Sequence, residues 1–418
     1  MLAERSGTLD GILERGVLRS VFQPIVDLET GGLFGFEALA RGPEGAALEQ
    51  PHHLFNAARA EGRLAELDAA CQAAAVRDAA KHAIHAPLTL FVNIEPGAAS
   101  FGALPPIERD QRGIVELTER MLTSRLAELL PAVQSARARG WGIALDDVGA
   151  DTRSLALMPL LRPDVIKLDL SLVQAQPTPD IAAIAGAVGA QAERTGATVL
   201  AEGIESQAQE QYARALGATM GQGFLYGRPA SEPERTRAIC ETPLPICTVA
   251  LPYTWRTPFE LASPQCPARH GTIALLAAIS RELEHQAAMA SRTSLLISSF
   301  PDADHGISRV REAYEQLAHE LAFAAVLAVG MPPNPAPGLR GVSIHEDDPV
   351  GGTWNVIVIS AHYAAMLAAK ERPRNNGAAQ EFDFIFTYDR ALILQCAQAL
   401  MLRIAHQENT REKPESAI

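Results

Sequence analysis

The chain has 418 residues, 47% hydrophobic and 20% charged, which is globular composition with length for two or three domains and excludes disorder as the default. A formal net charge of −13 argues against general binding to nucleic-acid polymers or anionic membranes, so a small anionic substrate would need local cations. No apolar run approaches the ~18 residues of a spanning helix, the N-terminus is charged where a signal peptide would be apolar, and five scattered cysteines without a CxxC pair fit reduced thiols, so a cytoplasmic protein is expected.

In chain order, residues 21–26 read as a strand, and Thr30-Gly31-Gly32 turns the chain into a second strand carrying Phe36-Glu37-Ala38-Leu39-Ala40-Arg41. Glu37 and Arg41, four residues apart, share a face of that strand. An acid and an arginine on one face suit a metal ion and a phosphate held side by side. Ala-rich stretches 53–60 and 63–80 have helical spacing and lead into a strand ending at Asn93. Strand and helix then alternate. Glu116 follows 113–115, a helix covers 124–139, Asp146-Asp147 follow 142–145, and Lys167 lies in the run 164–168. A helix at 181–194, a strand before Glu202, a helix at 207–216 and a strand near Gln222 complete the series. This rhythm over ~200 to 250 residues predicts an α/β fold, a (β/α)8 TIM-type barrel whose active site is built where the strands end.

The polar residues at those ends have a chemistry. Glu37, Asn93, Glu116 and Asp146 are oxygen donors without His or Cys, which selects a hard cation such as Mg2+ or Mn2+ over zinc. Asp146 and Asp147, adjacent at a strand end, can diverge to serve two ions ~3.5 to 4 Å apart, with Glu202 completing the second. Two metals imply phosphoryl chemistry. Only four lysines stand against 32 arginines, yet Lys167 lies inside an apolar run. A compact ammonium can sit beside an attacking hydroxide where a planar guanidinium cannot; the bland alternative is a lysine paired with an acid for structure alone.

Residues 8 to about 236 resemble the EAL domain, the family of cyclic di-GMP phosphodiesterases. The resemblance is carried by Phe22-Gln23-Pro24-Ile25, Glu37-Ala38-Leu39 with Arg41, Val92-Asn93-Ile94, Glu116-Leu117-Thr118-Glu119, Asp146-Asp147-Val148-Gly149, Ile166-Lys167-Leu168-Asp169, Ala201-Glu202-Gly203-Ile204-Glu205 and the run from Gln222 to Pro229. It implies that Glu37, Asn93, Glu116 and Asp146 hold one metal, with Asp146, Asp147 and Glu202 around another. It further implies that Lys167 meets the attacking water, that Glu202 is the general base, and that Arg41 meets a phosphate. Gln23 and Gln222 would fix the nucleotide, and Glu119 and Glu205 would support the loop after Asp147 and the surrounding groups. The implied reaction is in-line attack of metal-activated water, opening cyclic di-GMP to linear pGpG, in a homodimer. One departure stands out: after Gly149 the chain runs Ala150-Asp151-Thr152-Arg153, where the family tends to have a second glycine and an aromatic.

Six prolines between residues 238 and 268 predict a linker, dividing an EAL domain at 8–237 from a second domain at 269–410. There, helices are expected at 272–290, 310–321 and 390–406, and strands at 294–300, 323–329, 354–360 and 381–387. This α/β half resembles the DICT family of sensory domains, on the segments 311–318, 353–358 and 384–389. Two functions are therefore expected to compete: a phosphodiesterase regulated by the second domain, or an EAL domain silenced by its altered loop that acts as a cyclic di-GMP receptor. The retained acidic cluster favours the enzyme, because binding alone does not need so many like charges.

Overall fold

The computed structural model describes residues 8–95, 104–107, 110–233, 235–247, 254–301, 314, 317–373 and 380–411. The chain packs as two units, one of Met1–Leu122, Ala132–Asp151 and Arg162–Ala250, the other of Thr123–Pro131, Thr152–Leu161 and Leu251–Ile418.

The first unit is a closed eight-stranded barrel: β1 (Arg19–Asp27), β2 (Leu33–Arg41), β3 (Thr89–Asn93), β4 (Gly113–Thr118), β5 (Gly142–Val148), β6 (Val165–Leu168), β7 (Thr198–Ala201) and β8 (Met220–Gln222). From β2 to β8 neighbouring strands run parallel. β1 is reversed, antiparallel to both β2 and β8. The cause is the tight turn after Asp27, whose carboxylate accepts from the Thr30 amide at 2.6 Å and the Thr30 hydroxyl at 2.8 Å. A turn this short can only join antiparallel strands, since a parallel pair needs a long crossover. Reversal leaves Gln23 paired with Glu37 and Ile25 with Gln222, so β1 still contributes to the end of the barrel where β2 and β8 finish.

Parallel strands covered on both sides are expected to be apolar throughout, and Ile143, Ala144, Leu145, Val165 and Ile166 are all fully buried. The connecting helices carry their own boundaries. Pro179–Thr195 begins at Thr178, whose hydroxyl accepts from the Ile181 amide, and ends at Gly196 in the left-handed conformation. Gln207–Ala215 begins with a capping box between Ser206 and Gln209. Helix Glu119–Ala138 begins five residues before the expected start, directly after β4.

The opposite end of the barrel is closed by the proline-rich stretch itself. Leu244 is 1% exposed and packs with Ile25, Phe91, Ile114, Ala144, Val165, Leu200 and Met220. Residues around it are pinned: the Leu33 amide donates to the Ala238 carbonyl, the Cys240 amide to the Leu33 carbonyl, and the Cys247 amide to Asp164 at 2.7 Å. The expectation of a free connector from 238 thus gives way to a capping segment through residue 247. Pro258–Ala262 is a short helix capped by Thr257 and Glu260.

The second unit holds a seven-stranded sheet in the order β12-β11-β10-β13-β14-β15-β9. Its strands are β9 (Arg269–Thr272), β10 (Ser294–Ser299), β11 (Phe323–Val329), β12 (Arg340–Ile344), β13 (Thr353–Ser360), β14 (Ala364–Glu371) and β15 (Glu381–Thr387). β10, β11 and β12 are parallel, and β13, β14, β15 and β9 pair antiparallel. Trp354 lies in its core, with ring centroids 6.2 Å from Phe300 and 6.0 Å from Phe382. Strands at 340–344 and 364–371 were not expected, the latter because Ala-Ala-Met-Leu-Ala-Ala favours helix by propensity and is overridden by its neighbours in the sheet. Of the helix expected at 310–321, only Tyr314 and residues 317–321 are described.

Candidate active site

Glu37 lies on β2, only 7% exposed. Its Oε1 accepts from Asn93 Nδ2 at 2.7 Å and its Oε2 from Gln222 Nε2 at 2.6 Å. The register explains this: Glu37 pairs with Phe91 two residues before Asn93, and with Gln23 on the other side. Gln222 Nε2 also donates to Gln23 Oε1 at 3.1 Å, while Gln222 Oε1 is buried without a hydrogen-bond partner. β3 and β4 set Asn93 beside Glu116, and β4 and β5 set Thr118 beside Asp146.

Asp146 and Asp147 sit in different backbone conformations. The pairing of β5 with β6 slips between Leu145 and Val148, and Asp147 takes φ +58°, a left-handed conformation rare for a non-glycine residue. Asp146 is thereby buried and Asp147 exposed, yet one carboxylate oxygen from each of Asp146, Asp147 and Glu202 lies within 4.8 Å of the others. A residue held in such a conformation at a cluster of ligating groups is the kind of local strain that functional sites retain.

Lys167 is the hub. It is 1% exposed, and its Nζ lies 2.6 Å from Glu202 Oε1, 2.7 Å from Glu116 Oε1 and 2.9 Å from Asp146 Oδ1. Burial alone would push the ammonium down, but Asp146, Glu116 and Glu202 hold it well above its ordinary value, so it is charged. Burial and the neighbouring Glu37 drive Glu116 well above the usual carboxylate range. Burial likewise pushes Glu202 up to about 8 despite Lys167. Glu37 goes the other way: burial opposes its charge, but Lys167 and the amides of Gln222 and Asn93 keep it below the ordinary value. Lys167 alone does not offset the burial of Glu116 and Glu202, whose raised proton affinity marks a place where added positive charge would be favourable.

The same groups fit a divalent cation. Every donor is oxygen, and Glu116 Oε2 is buried without a hydrogen-bond partner. Such an atom is costly unless something binds it. The chemistry suits a hard ion, with Asp146, Asp147 and Glu202 as one group of ligands and Glu37, Asn93 and Glu116 on the adjoining strands.

The supporting residues divide. Glu119, 2% exposed, accepts from the Asp151 amide at 2.8 Å and the Gly149 amide at 3.4 Å, so its carboxylate holds the altered loop. Glu205 is exposed, and it is its backbone amide that is engaged, donating to Gln209 Oε1 at 2.7 Å. Its carboxylate takes no part in the cluster. Arg41 stands at the end of β2, four residues past Glu37, its guanidinium donating to the Ala40 carbonyl at 2.8 Å. One acid escaped the sequence analysis. Asp68, 2% exposed in helix Leu64–Lys81, accepts from the Glu95 amide at 3.0 Å, two residues beyond Asn93, and burial pushes it up to about 7. An acid on the core side of an amphipathic helix was the signal that could have marked it.

Comparison with known proteins gives the family. The EAL domain model matches residues 8–229, and that of the sensory domain in diguanylate cyclases and two-component systems (DICT) matches residues 260–372. Cyclic di-GMP phosphodiesterase RocR of Pseudomonas aeruginosa is 31% identical over 238 residues, covering 53% of this chain and 59% of RocR. Oxygen sensor protein DosP of Escherichia coli is 30% identical over 246 residues, 55% of this chain and 31% of DosP. Among solved structures, the BlrP1 calcium/cyclic di-GMP complex of Klebsiella pneumoniae shares 28% identity at a TM-score of 0.46, covering 51% of this chain and 56% of that one. With more than half of its length matched, the chain belongs to the EAL domain family and carries a C-terminal DICT sensory domain.

Proposed function

We propose that the barrel is a metal-dependent phosphodiesterase that opens cyclic di-GMP to linear pGpG, and that the DICT domain regulates it. The observation that carries this reading is the cluster of buried Glu37, Glu116 and Asp146 with half-buried Glu202 around the Lys167 ammonium. A receptor gains nothing from such crowding of like charge, whereas phosphoryl transfer needs cations that the crowding would attract. Relatives that bear the activity in their names, such as RocR, support it.

Glu37, Asn93, Glu116, Asp146, Asp147 and Glu202 would hold Mg2+ or Mn2+. Such ions lower the pKa of water and draw charge from a phosphate. The chain's own groups do the rest. Lys167 stabilises negative charge beside Glu202 at the point of attack, and Glu202, with its affinity for protons raised to near neutrality, takes the proton from the attacking water. Gln222 and Gln23 would orient the nucleotide, and Arg41, at the end of β2, would meet a phosphate.

One segment of the second unit supports the regulatory reading. Helix Ser154–Leu161, which follows the loop held by Glu119, has all eight residues buried and groups with that unit. A change there would bear on a segment seven residues after Asp147.

The test is incubation of the purified chain with cyclic di-GMP and Mg2+ or Mn2+, with pGpG resolved by chromatography. Metal-dependent product that disappears in Glu37→Ala is the expected result. Tight binding without product under every divalent ion tried would favour the receptor reading instead.

A further inference from the structure

Asn93 stands exposed at the end of β3, and among the described residues its side chain makes one hydrogen bond, from Nδ2 to Glu37 Oε1 at 2.7 Å. An oxygen on a side chain held so lightly takes its aim from the backbone that carries it. The sheet fixes part of that backbone: Asn93 pairs with Glu116, and the Ile94 amide donates to the Glu116 carbonyl at 3.3 Å. One residue on, the Glu95 amide donates instead to a side chain, Asp68 Oδ1, at 3.0 Å.

Asp68 is an unusual residue to find there. It lies on the buried side of helix Leu64–Lys81, 2% exposed, and its other oxygen accepts from Gln72 Nε2 at 2.7 Å, one turn along the helix. Gln72 is 1% exposed, and its Oε1 has no partner. Neither residue is in an ion pair among the described residues, and burying a carboxyl without a cation costs free energy that an apolar side chain would not. The two side chains hold each other, and the one backbone they reach beyond their own helix is the Glu95 amide. The Glu95 carboxylate is held separately by Arg59 at 2.9 Å, but that pair reaches solvent and contributes little.

We propose that Asp68 is a positioning residue for the metal site: from the neighbouring helix it fixes the backbone that follows Asn93, and so sets the aim of the Asn93 carboxamide oxygen toward the ion. This rests on the metal-dependent reading above. It adds a residue that lies outside the strand ends and touches neither ion nor substrate.

The experiment titrates the full chain with Mn2+ by calorimetry, without substrate, and records thermal melts in EDTA. Asp68→Ala should weaken Mn2+ binding about 10- to 100-fold, the range for loss of a group that orients a ligand. Asp68→Asn should recover most of this, because the asparagine oxygen still accepts from the Glu95 amide and a turned Gln72 carboxamide accepts from its Nδ2. Asn93→Ala should also weaken binding, and combining it with Asp68→Ala should cost nothing further, as expected of two residues acting through one contact. Asp78, on the same helix, accepts from the Ser20 amide of β1 at 3.0 Å; Asp78→Ala should lower the melting temperature in EDTA and leave Mn2+ affinity at the parental value. Should Asp68→Ala melt below the assay temperature, Asp68→Ser, one atom too short to reach the Glu95 amide, carries the same expectations. Parental affinity in Asp68→Ala, equal losses in its Ala and Asn variants, additive losses with Asn93→Ala, or an equal loss in Asp78→Ala would each overturn the proposal. If the parent binds Mn2+ and any of these results appears, the positioning role is refuted while the metal site stands; if the parent binds neither Mn2+ nor Mg2+, the metal-dependent reading fails too.

Discussion

Replacing Lys167 by methionine tests the electrostatics of the site directly. The change keeps most of the side-chain volume and removes the ammonium that lies within 3 Å of Glu116, Asp146 and Glu202. Lys167 and Glu116 are buried almost completely, so solvent offers little compensation. Breaking a buried ion pair by deleting one partner costs about 3–5 kcal/mol. For a domain of this size each kcal/mol moves the melting temperature by about 2–4 °C, so a fall of roughly 6–20 °C is expected. Calorimetry in EDTA at pH 7.5 reads it. Added Mn2+ should recover more of the loss in the variant than it adds to the parent, since the ion then supplies the only cation. At pH 5 the difference should shrink, because the carboxyls can take up protons. A variant in EDTA melting within about 2 °C of the parent would mean that protons alone neutralise the cluster, and the role given to Lys167 as internal counter-ion would fall.

Three further outcomes are expected. Glu119→Ala removes the acceptor of the Asp151 and Gly149 amides and should lower kcat about 10- to 100-fold, as loss of a ligand-supporting group does, with KM nearly unchanged; steady-state kinetics decide it. Glu202 has its pKa raised to about 8 by burial, so its contribution to stability is complete below its ordinary value of 4.5, fades as pH rises, and is gone above about 8; unfolding free energies of the metal-free chain from urea titrations should fall across that window by up to about 1.4 kcal/mol per pH unit and flatten when Mg2+ is saturating. Leu244→Ala leaves a void among Ile25, Phe91, Ile114 and Leu200 and should cost about 2–5 kcal/mol in urea unfolding of the full chain, whereas a loss under about 0.5 kcal/mol would show that the segment lies on the barrel without sealing it.

The barrel was legible because each strand ends in a residue whose polarity breaks an apolar run. Glu37, Asn93, Glu116, Asp146 and Lys167 are visible as interruptions, and a barrel brings interruptions at one end of every strand together. What escaped depends on contacts between distant segments. Nothing local marks Leu244 as a core residue, since its proline-rich surroundings read as a connector until Leu33 and Asp164 supply the partners. β14 escaped because alanine, leucine and methionine favour helix in isolation, and only the pairing with β13 and β15 reverses that preference. Glu205 was overread. It stands beside Glu202 in sequence, but the capping turn of the next helix carries its carboxylate into solvent.

The altered loop bears differently on the two rival functions once its contacts are known. A second glycine after Gly149 would leave the backbone freer, and its replacement by Ala150-Asp151 would be expected to weaken the placement of Asp147. Instead the backbone amides of Gly149 and Asp151 both reach Glu119, which is buried at the start of its helix. These bonds use main-chain groups, so they are indifferent to the side chains at 150 and 151 and survive the departure from the family pattern. Asp147 keeps its left-handed conformation and remains within 4.8 Å of Asp146 and Glu202 through single oxygens. The substitution therefore does not dismantle the ligating group, and what it changes is the surface that the loop presents. Residues Thr152–Leu161, directly after Asp151, belong to the second unit. The altered loop by itself therefore gives no ground for preferring the silenced reading over the enzyme proposed above.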